Sequence, residues 1–111
     1  MPHDPKKLLY DMKQAGDRID RFVGTRTFDD FVADDLIRAA VERQFEIIGE
    51  AMSRLRKLDP TVASRITNHA RISTFRNIMI HDYDAIDYMI VWNIILQHLL
   101  LLRRELDELL R

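Results

Sequence analysis

The 111-residue chain contains no cysteine and only three glycines and three prolines. Without thiols there is no disulfide framework, no cysteine nucleophile and no thiolate zinc site, which suits a reducing compartment. With so few glycines and prolines and 47% apolar residues, the composition favours long helices over turn-rich sheets. An excess of charge of one sign is also missing, since 17 Lys and Arg stand against 18 Asp and Glu for a net charge of -1. The broad attraction behind non-specific nucleic-acid binding is therefore absent, and any such contact has to be local. Nor does any apolar run reach the roughly 20 residues of a membrane span. The most apolar stretch, YMIVWNIILQHLLLL, is interrupted by Asn93, Gln97 and His98 and ends in the charged RRELDELLR. Residues 1–10, MPHDPKKLLY, have two prolines and no apolar h-region, so no secretory signal and a cytoplasmic location are expected.

What is present reads as helix. Asp4 supplies a cap and Pro5 a first helical position, and Leu8, Leu9, Met12, Ala15, Ile19 and Phe22 follow at helical spacing until Gly24. This predicts an amphipathic helix over residues 4–23. After GTRT, a short turn around residues 28–32 leads into a longer helix with Ile37, Val41, Ile48, Met52 and Leu55 on one face, widened by Leu36, Ala40 and Ile47. Asp59-Pro60 stops that helix and starts a short turn through Ile66. A third helix is predicted over residues 71–80, and Asp84 or Asp87 caps a last helix running to the C-terminus. The expected fold is all-α, an antiparallel four- to five-helix bundle forming a single domain over residues 1–111, with no repeat and no linker. Because the last helix is apolar around nearly its whole circumference, it needs partners on more than one side, and a two-fold homodimer is expected. Trp92 suits either the core or that interface.

The stretch RNIMIHDY, residues 76–83, gathers Arg76, Asn77, His81 and Tyr83 within an otherwise apolar pattern. At about 100° per residue Asn77 and His81 share a helical face, whereas Arg76 and His81 lie roughly 140° apart. They converge if the helix frays at His81, next to Asp82, or if a second copy faces the first across a two-fold axis. An imidazole with a pKa near 6.5 can take a proton from a ribose 2'-hydroxyl, and a guanidinium can bind phosphate as charge builds. Arg and His are thus a minimal kit for metal-free RNA cleavage, with Asn77 orienting the imidazole or touching RNA and Tyr83 stacking on a base. The same residues also describe an ordinary solvated helix end, where cations are favourable. His81, Asp82 and Asp84 lack a ligand framework, so no metal and no cofactor are expected. His3, His69 and His98 are isolated. Arg43, Glu46 and Glu50 form a polar strip, a solvated face or a buttress for Arg76.

RNIMIHDY resembles the Arg-Asn, three residues, His, one residue, Tyr signature of HepT-like proteins in the HEPN superfamily. RQFEIIGEAM, residues 43–52, is similar to that family's second-helix block, and DYMIVWNII, with Trp92, to the segment after its His-Tyr motif. The resemblance implies a helical-bundle homodimer acting as a metal-independent endoribonuclease toxin of a type VII toxin-antitoxin pair, whose partner is an MNT-type nucleotidyltransferase antitoxin. It further implies catalysis by Arg76 and His81, support by Asn77, and Tyr83 as the residue to which the antitoxin attaches AMP. One departure stands out: Asp82 replaces the usual Gly, and with Asp84 it repels RNA phosphates and favours the charged form of His81. A non-catalytic helical dimer that binds and modulates the nucleotidyltransferase is the alternative.

Overall fold

A computed structural model describes residues 4–75 and 87–111, and these form helices joined by short connections, with no strand among them. In chain order the described helices are α1 (Pro5–Val23), α2 (Phe28–Ala33), α3 (Asp35–Leu58), α4 (Pro60–Ala63), α5 (His69–Ile72), α6 (Tyr88–Gln97) and α7 (Leu99–Leu109). The all-α bundle expected from composition is the one that forms.

Local chemistry sets the boundaries. The Asp4 carboxylate accepts a 2.8 Å hydrogen bond from the Lys7 N–H, with Pro5 opening α1. Gly24 closes it at φ 53°, a conformation that costs a side-chain-bearing residue energy. Thr27 and Asp30 exchange hydrogen bonds in a capping box, so the turn expected around residues 28–32 is a helix, α2. Asp34 caps α3, and Asp59 both follows α3 and caps α4 through the Val62 N–H at 3.1 Å.

The apolar stripes then meet. Leu8, Leu9, Met12, Ala15 and Ile19 of α1 are buried with Val41, Phe45, Ile48, Met52 and Leu55 of α3, while Leu99, Leu102 and Leu106 of α7 close the core. A side chain of this size buried from water contributes about 1.5–3 kcal/mol, so this seam is the main source of stability. Leu36, expected to widen the α3 face, is instead 78% exposed in the first helical turn. Lys13 pairs with Asp107 at 2.6 Å, whereas Asp17 receives the Arg103 Nε at 2.9 Å, so α7 runs antiparallel to α1. Side chains of α7 pack tightly onto Gly16, where a Cβ would stand 3.2 Å from the Arg103 side chain. The hydrogen bond between Lys13 and Asp107 holds the ammonium above its ordinary pKa and the carboxyl below its own.

Two expectations on helix extent are corrected. The single last helix is divided at His98 into α6 and α7, although the His98 N–H still reaches the Ile94 carbonyl at 2.9 Å and the Leu102 N–H the His98 carbonyl at 3.1 Å. In the described part of the helix predicted over residues 71–80, Arg71, Ile72 and Phe75 are helical but a turn at Ser73 and Thr74 interrupts them, and residues 76–80 lie outside the described residues. The Ser73 and Thr74 hydroxyls donate to the Ala70 and Arg71 carbonyls at 2.6 and 2.7 Å, competing with the helical ladder. Among the described residues no helix is long and apolar enough to cross a membrane.

Candidate functional site

Arg76, Asn77, His81 and Tyr83 lie outside the described residues, as do Asp82, Asp84 and His3. The elements that lead into and out of residues 76–86 are described, and each is anchored by aromatic packing. On the entering side, Phe75 meets Phe45 of α3 edge-on, with ring centroids 5.4 Å apart. On the leaving side, the Asp87 carboxylate caps α6 by accepting from the Met89 N–H at 2.9 Å, which decides between the two expected caps in the described part of the chain. Tyr88 then packs edge-on against Phe31 with centroids 6.4 Å apart, and the Arg38 guanidinium carbon sits 4.8 Å from the Tyr88 ring centroid. Arg38 is itself held by Asp35 and the Val32 carbonyl. Trp92 lies against Phe31 and Phe28, at 5.3 and 6.2 Å, and is a core anchor in this chain.

Between these flanks runs a cleft of about 230 Å³. Asn68, Arg71, Ile72 and Phe75 form one wall, and Ile90, Asn93, Ile94 and His98 of α6 and its end form the other. Asn68 adopts a left-handed conformation, φ 61°, which its short amide tolerates and which turns the chain into α5. The lining combines one guanidinium, one imidazole and two amides with apolar walls. Such a set can bind a phosphate through Arg71, address base edges through the amides and shelter a base or ribose against Ile72, Ile90 and Ile94. His98 lines this cleft and is exposed, while His69 faces the opposite side of α5.

Among the described residues the polar strip of α3 pairs Arg43 with Glu46 at 3.2 Å and Glu50 with Arg54 at 2.9 Å, and its expected buttressing of Arg76 lies outside the described residues. Near the first, burial pushes the Glu42 carboxyl above its ordinary pKa, only partly opposed by Arg38. Gln44 turns inward, and its buried Oε1 has no hydrogen-bond partner among the described residues. Sequence reasoning passed over Gln44, Asn68 and Arg71. The inward turn of Gln44 could have been found from its place between Val41 and Phe45 on the apolar face. Asn68 and Arg71 join Asn93 and His98 only through tertiary packing, so no spacing announces them. Among the described residues no group of three His, Asp or Glu is placed to hold a metal ion.

Comparison with known proteins adds a family match. The profile of the ribonuclease HepT-like family matches residues 12–109. A protein of Methanocaldococcus jannaschii provisionally named RNase MJ1380 is 31% identical over 108 residues, covering 94% of both chains. One from Caldanaerobacter subterraneus subsp. tengcongensis, provisionally named RNase TTE0752, is 34% identical over 85 residues, 77% of this chain and 75% of the relative. A Thermococcus cleftensis protein provisionally named ribonuclease HepT is 27% identical over 113 residues, 98% of each. No solved structure matches.

Proposed function

The chain belongs to the ribonuclease HepT-like family, and from that premise we propose that it is a metal-independent endoribonuclease, a single helical domain over residues 1–111 that works as a two-fold homodimer in the cytoplasm. The observation that carries this reading is that the family match over residues 12–109 runs through the whole of RNIMIHDY. His81 takes the proton of a ribose 2'-hydroxyl, and the freed oxygen attacks the adjacent phosphorus. The 5'-oxygen leaves and is protonated, yielding a cyclic phosphate on one fragment and a 5'-hydroxyl on the other. Arg76 stabilises the pentavalent phosphate and Asn77 supports the imidazole.

The homodimer is supported by α6 and α7, which leave Met89, Ile90, Leu96, Leu100 and Leu101 exposed. At 100° per residue these five fall within about 140° of the helix circumference, a largely apolar stripe that also carries the exposed amides of Asn93 and Gln97. In this reading the enzyme is the toxin of a type VII pair. An MNT-type nucleotidyltransferase antitoxin silences it by transferring AMP to Tyr83, which adds negative charge and bulk where an RNA phosphate has to sit.

The test is incubation of the purified protein with defined RNAs in EDTA, followed by end-group analysis. Cyclic phosphate and 5'-hydroxyl ends that vanish in His81→Ala support the reading. No cleavage by a folded wild type that still binds the nucleotidyltransferase makes the chain a non-catalytic dimer instead.

A further inference from the structure

Residues 51–75 depart sharply from the charge balance of the chain. They hold five cationic side chains, Arg54, Arg56, Lys57, Arg65 and Arg71, against one carboxylate, Asp59, in a protein of net charge -1. That carboxylate is engaged in capping α4 through the Val62 N–H. Outside this stretch 12 Lys and Arg face 17 Asp and Glu, and several of those cations are paired, Lys7 with Asp11, Lys13 with Asp107, Arg43 with Glu46 and Arg103 with Asp17. Arg56, Lys57, Arg65 and Arg71 make no ion pair among the described residues, and all four are exposed. Uncompensated like charges repel one another and weaken the folded state slightly, so their accumulation in one place points to an anionic ligand.

Two of the four converge on a concave surface. Ser53, Arg56 and Lys57 stand at i, i+3 and i+4 on the last turns of α3 and share a helical face. Together with Pro60, Ala63 and His69 they line a groove of about 330 Å³. Arg56 is oriented across it by donating to the Ser73 Oγ at 3.2 Å. His69 is half-buried there, and its buried Nδ1 has no hydrogen-bond partner among the described residues. The lining offers a guanidinium, an ammonium, a hydroxyl and an imidazole, with no carboxylate and no Phe, Tyr or Trp ring. That set suits phosphate oxygens and has little with which to read a base. On the other side of α5, a single turn about 6 Å long, Asn68 and Arg71 line the candidate cleft, so both surfaces adjoin the chain that continues into Arg76.

We propose that the groove of Ser53, Arg56, Lys57 and His69 binds the sugar-phosphate backbone of single-stranded RNA and feeds the strand past α5 to the cutting segment. It deepens the ribonuclease reading and rests on it for the identity of the polyanion. Binding of this kind is independent of sequence and sensitive to salt.

The experiment is fluorescence anisotropy with a labelled single-stranded RNA of mixed sequence, in a His81→Ala background so that the probe stays intact. Arg56→Gln with Lys57→Gln should weaken binding about tenfold and lower the slope of log K against log salt by roughly 0.7 for each phosphate that the groove no longer neutralises. Lys6→Gln, an exposed charge at the start of α1, controls for loss of a surface cation outside the groove and should change neither. In the cleaving enzyme the double variant should raise KM for long RNA several-fold more than for a dinucleotide. Arg56→Lys, which keeps the charge, should recover most of the affinity if the double variant is poorly folded. Affinity and salt slope equal to those of the Lys6→Gln control overturn the proposal, as does binding of an acidic polypeptide but not RNA at this groove. Wild type that cuts RNA while the double variant behaves identically removes the groove alone. Wild type that binds RNA through the groove yet cuts none removes the ribonuclease reading alone, and wild type that does neither removes both.

Discussion

Phe75 meets Phe45 edge-on, their planes 86° apart and their centroids separated by 5.4 Å, so the residue immediately before Arg76 is fixed to the middle of α3. An edge-to-face pair of this kind contributes about 0.5–1.5 kcal/mol beyond burial. Phe75→Leu should therefore cost about 1 kcal/mol in thermal or urea unfolding. Cleavage should fall about tenfold, because a small displacement of a transition-state cation is expensive. A variant destabilised to that degree with unaltered kcat would show that this pair does not position Arg76.

Arg76→Ala and His81→Ala should each abolish RNA cleavage while changing the melting temperature little. A charge-stabilising group and a proton-transfer group act in the transition state rather than in packing. Single-turnover kinetics alongside a melting curve separate the two effects. A fully active enzyme carrying either substitution refutes the pairing.

Tyr83→Phe should retain ribonuclease activity yet escape silencing by the nucleotidyltransferase and ATP, since only the acceptor oxygen is removed. Mass spectrometry of the treated wild type should place additions of AMP mass on the peptide containing Tyr83. Modification mapped to Tyr10 or Tyr88 would contradict the assignment.

Changes at Leu96 and Leu100 should act on assembly and activity together. Both are exposed on the stripe shared by α6 and α7, so Leu96→Lys with Leu100→Lys leaves the core of the single chain intact. Sedimentation should show a folded monomer with strongly reduced cleavage. An unchanged mass would mean that the stripe is not the dimer interface.

The Glu42 carboxyl is held above its ordinary pKa first by burial and further by Glu46, with Arg38 opposing. A carboxyl whose folded pKa exceeds its unfolded one leaves the folded state unpenalised in acid and weakens it as pH rises through the two values. Glu42→Gln should accordingly raise the melting temperature at neutral pH, and the gain should disappear below the carboxylate range. A gain that is the same at both pH values would assign the effect to packing instead.

The fold is legible in the sequence wherever local chemistry and periodicity agree. Asp4-Pro5 and Gly24 bound α1, Asp59-Pro60 separates α3 from α4, and most apolar positions on the inner faces of both long helices are buried. The failures occur where a side chain competes with the backbone or where distant elements decide. Ser73 and Thr74 turn their hydroxyls onto the chain and shorten α5, and nothing in the apolar pattern of LLLL reports the break at His98. Arg76, Asn77, His81 and Tyr83 are legible as a motif because they lie close together in sequence. The cleft of Asn68, Arg71, Asn93 and His98 is not, because α5 and α6 bring together residues from separate parts of the chain.

Arg103 and Asp17, bonded at 2.9 Å, are 86 positions apart in the chain, and Lys13 and Asp107 are further still. Contacts of such long range are reached only after the loop between them has been closed, whereas α1 and α3 can dock across a short connection. Closure by α7 should accordingly come late in folding, with the ion pairs that seal it slowing unfolding more than they speed folding. Residues 76–86 lie inside the loop that this closure completes. With the catalytic pair proposed for Arg76 and His81, a chain whose first helices have collapsed should not yet cut RNA, and cutting competence should arrive only when the last helix is in place.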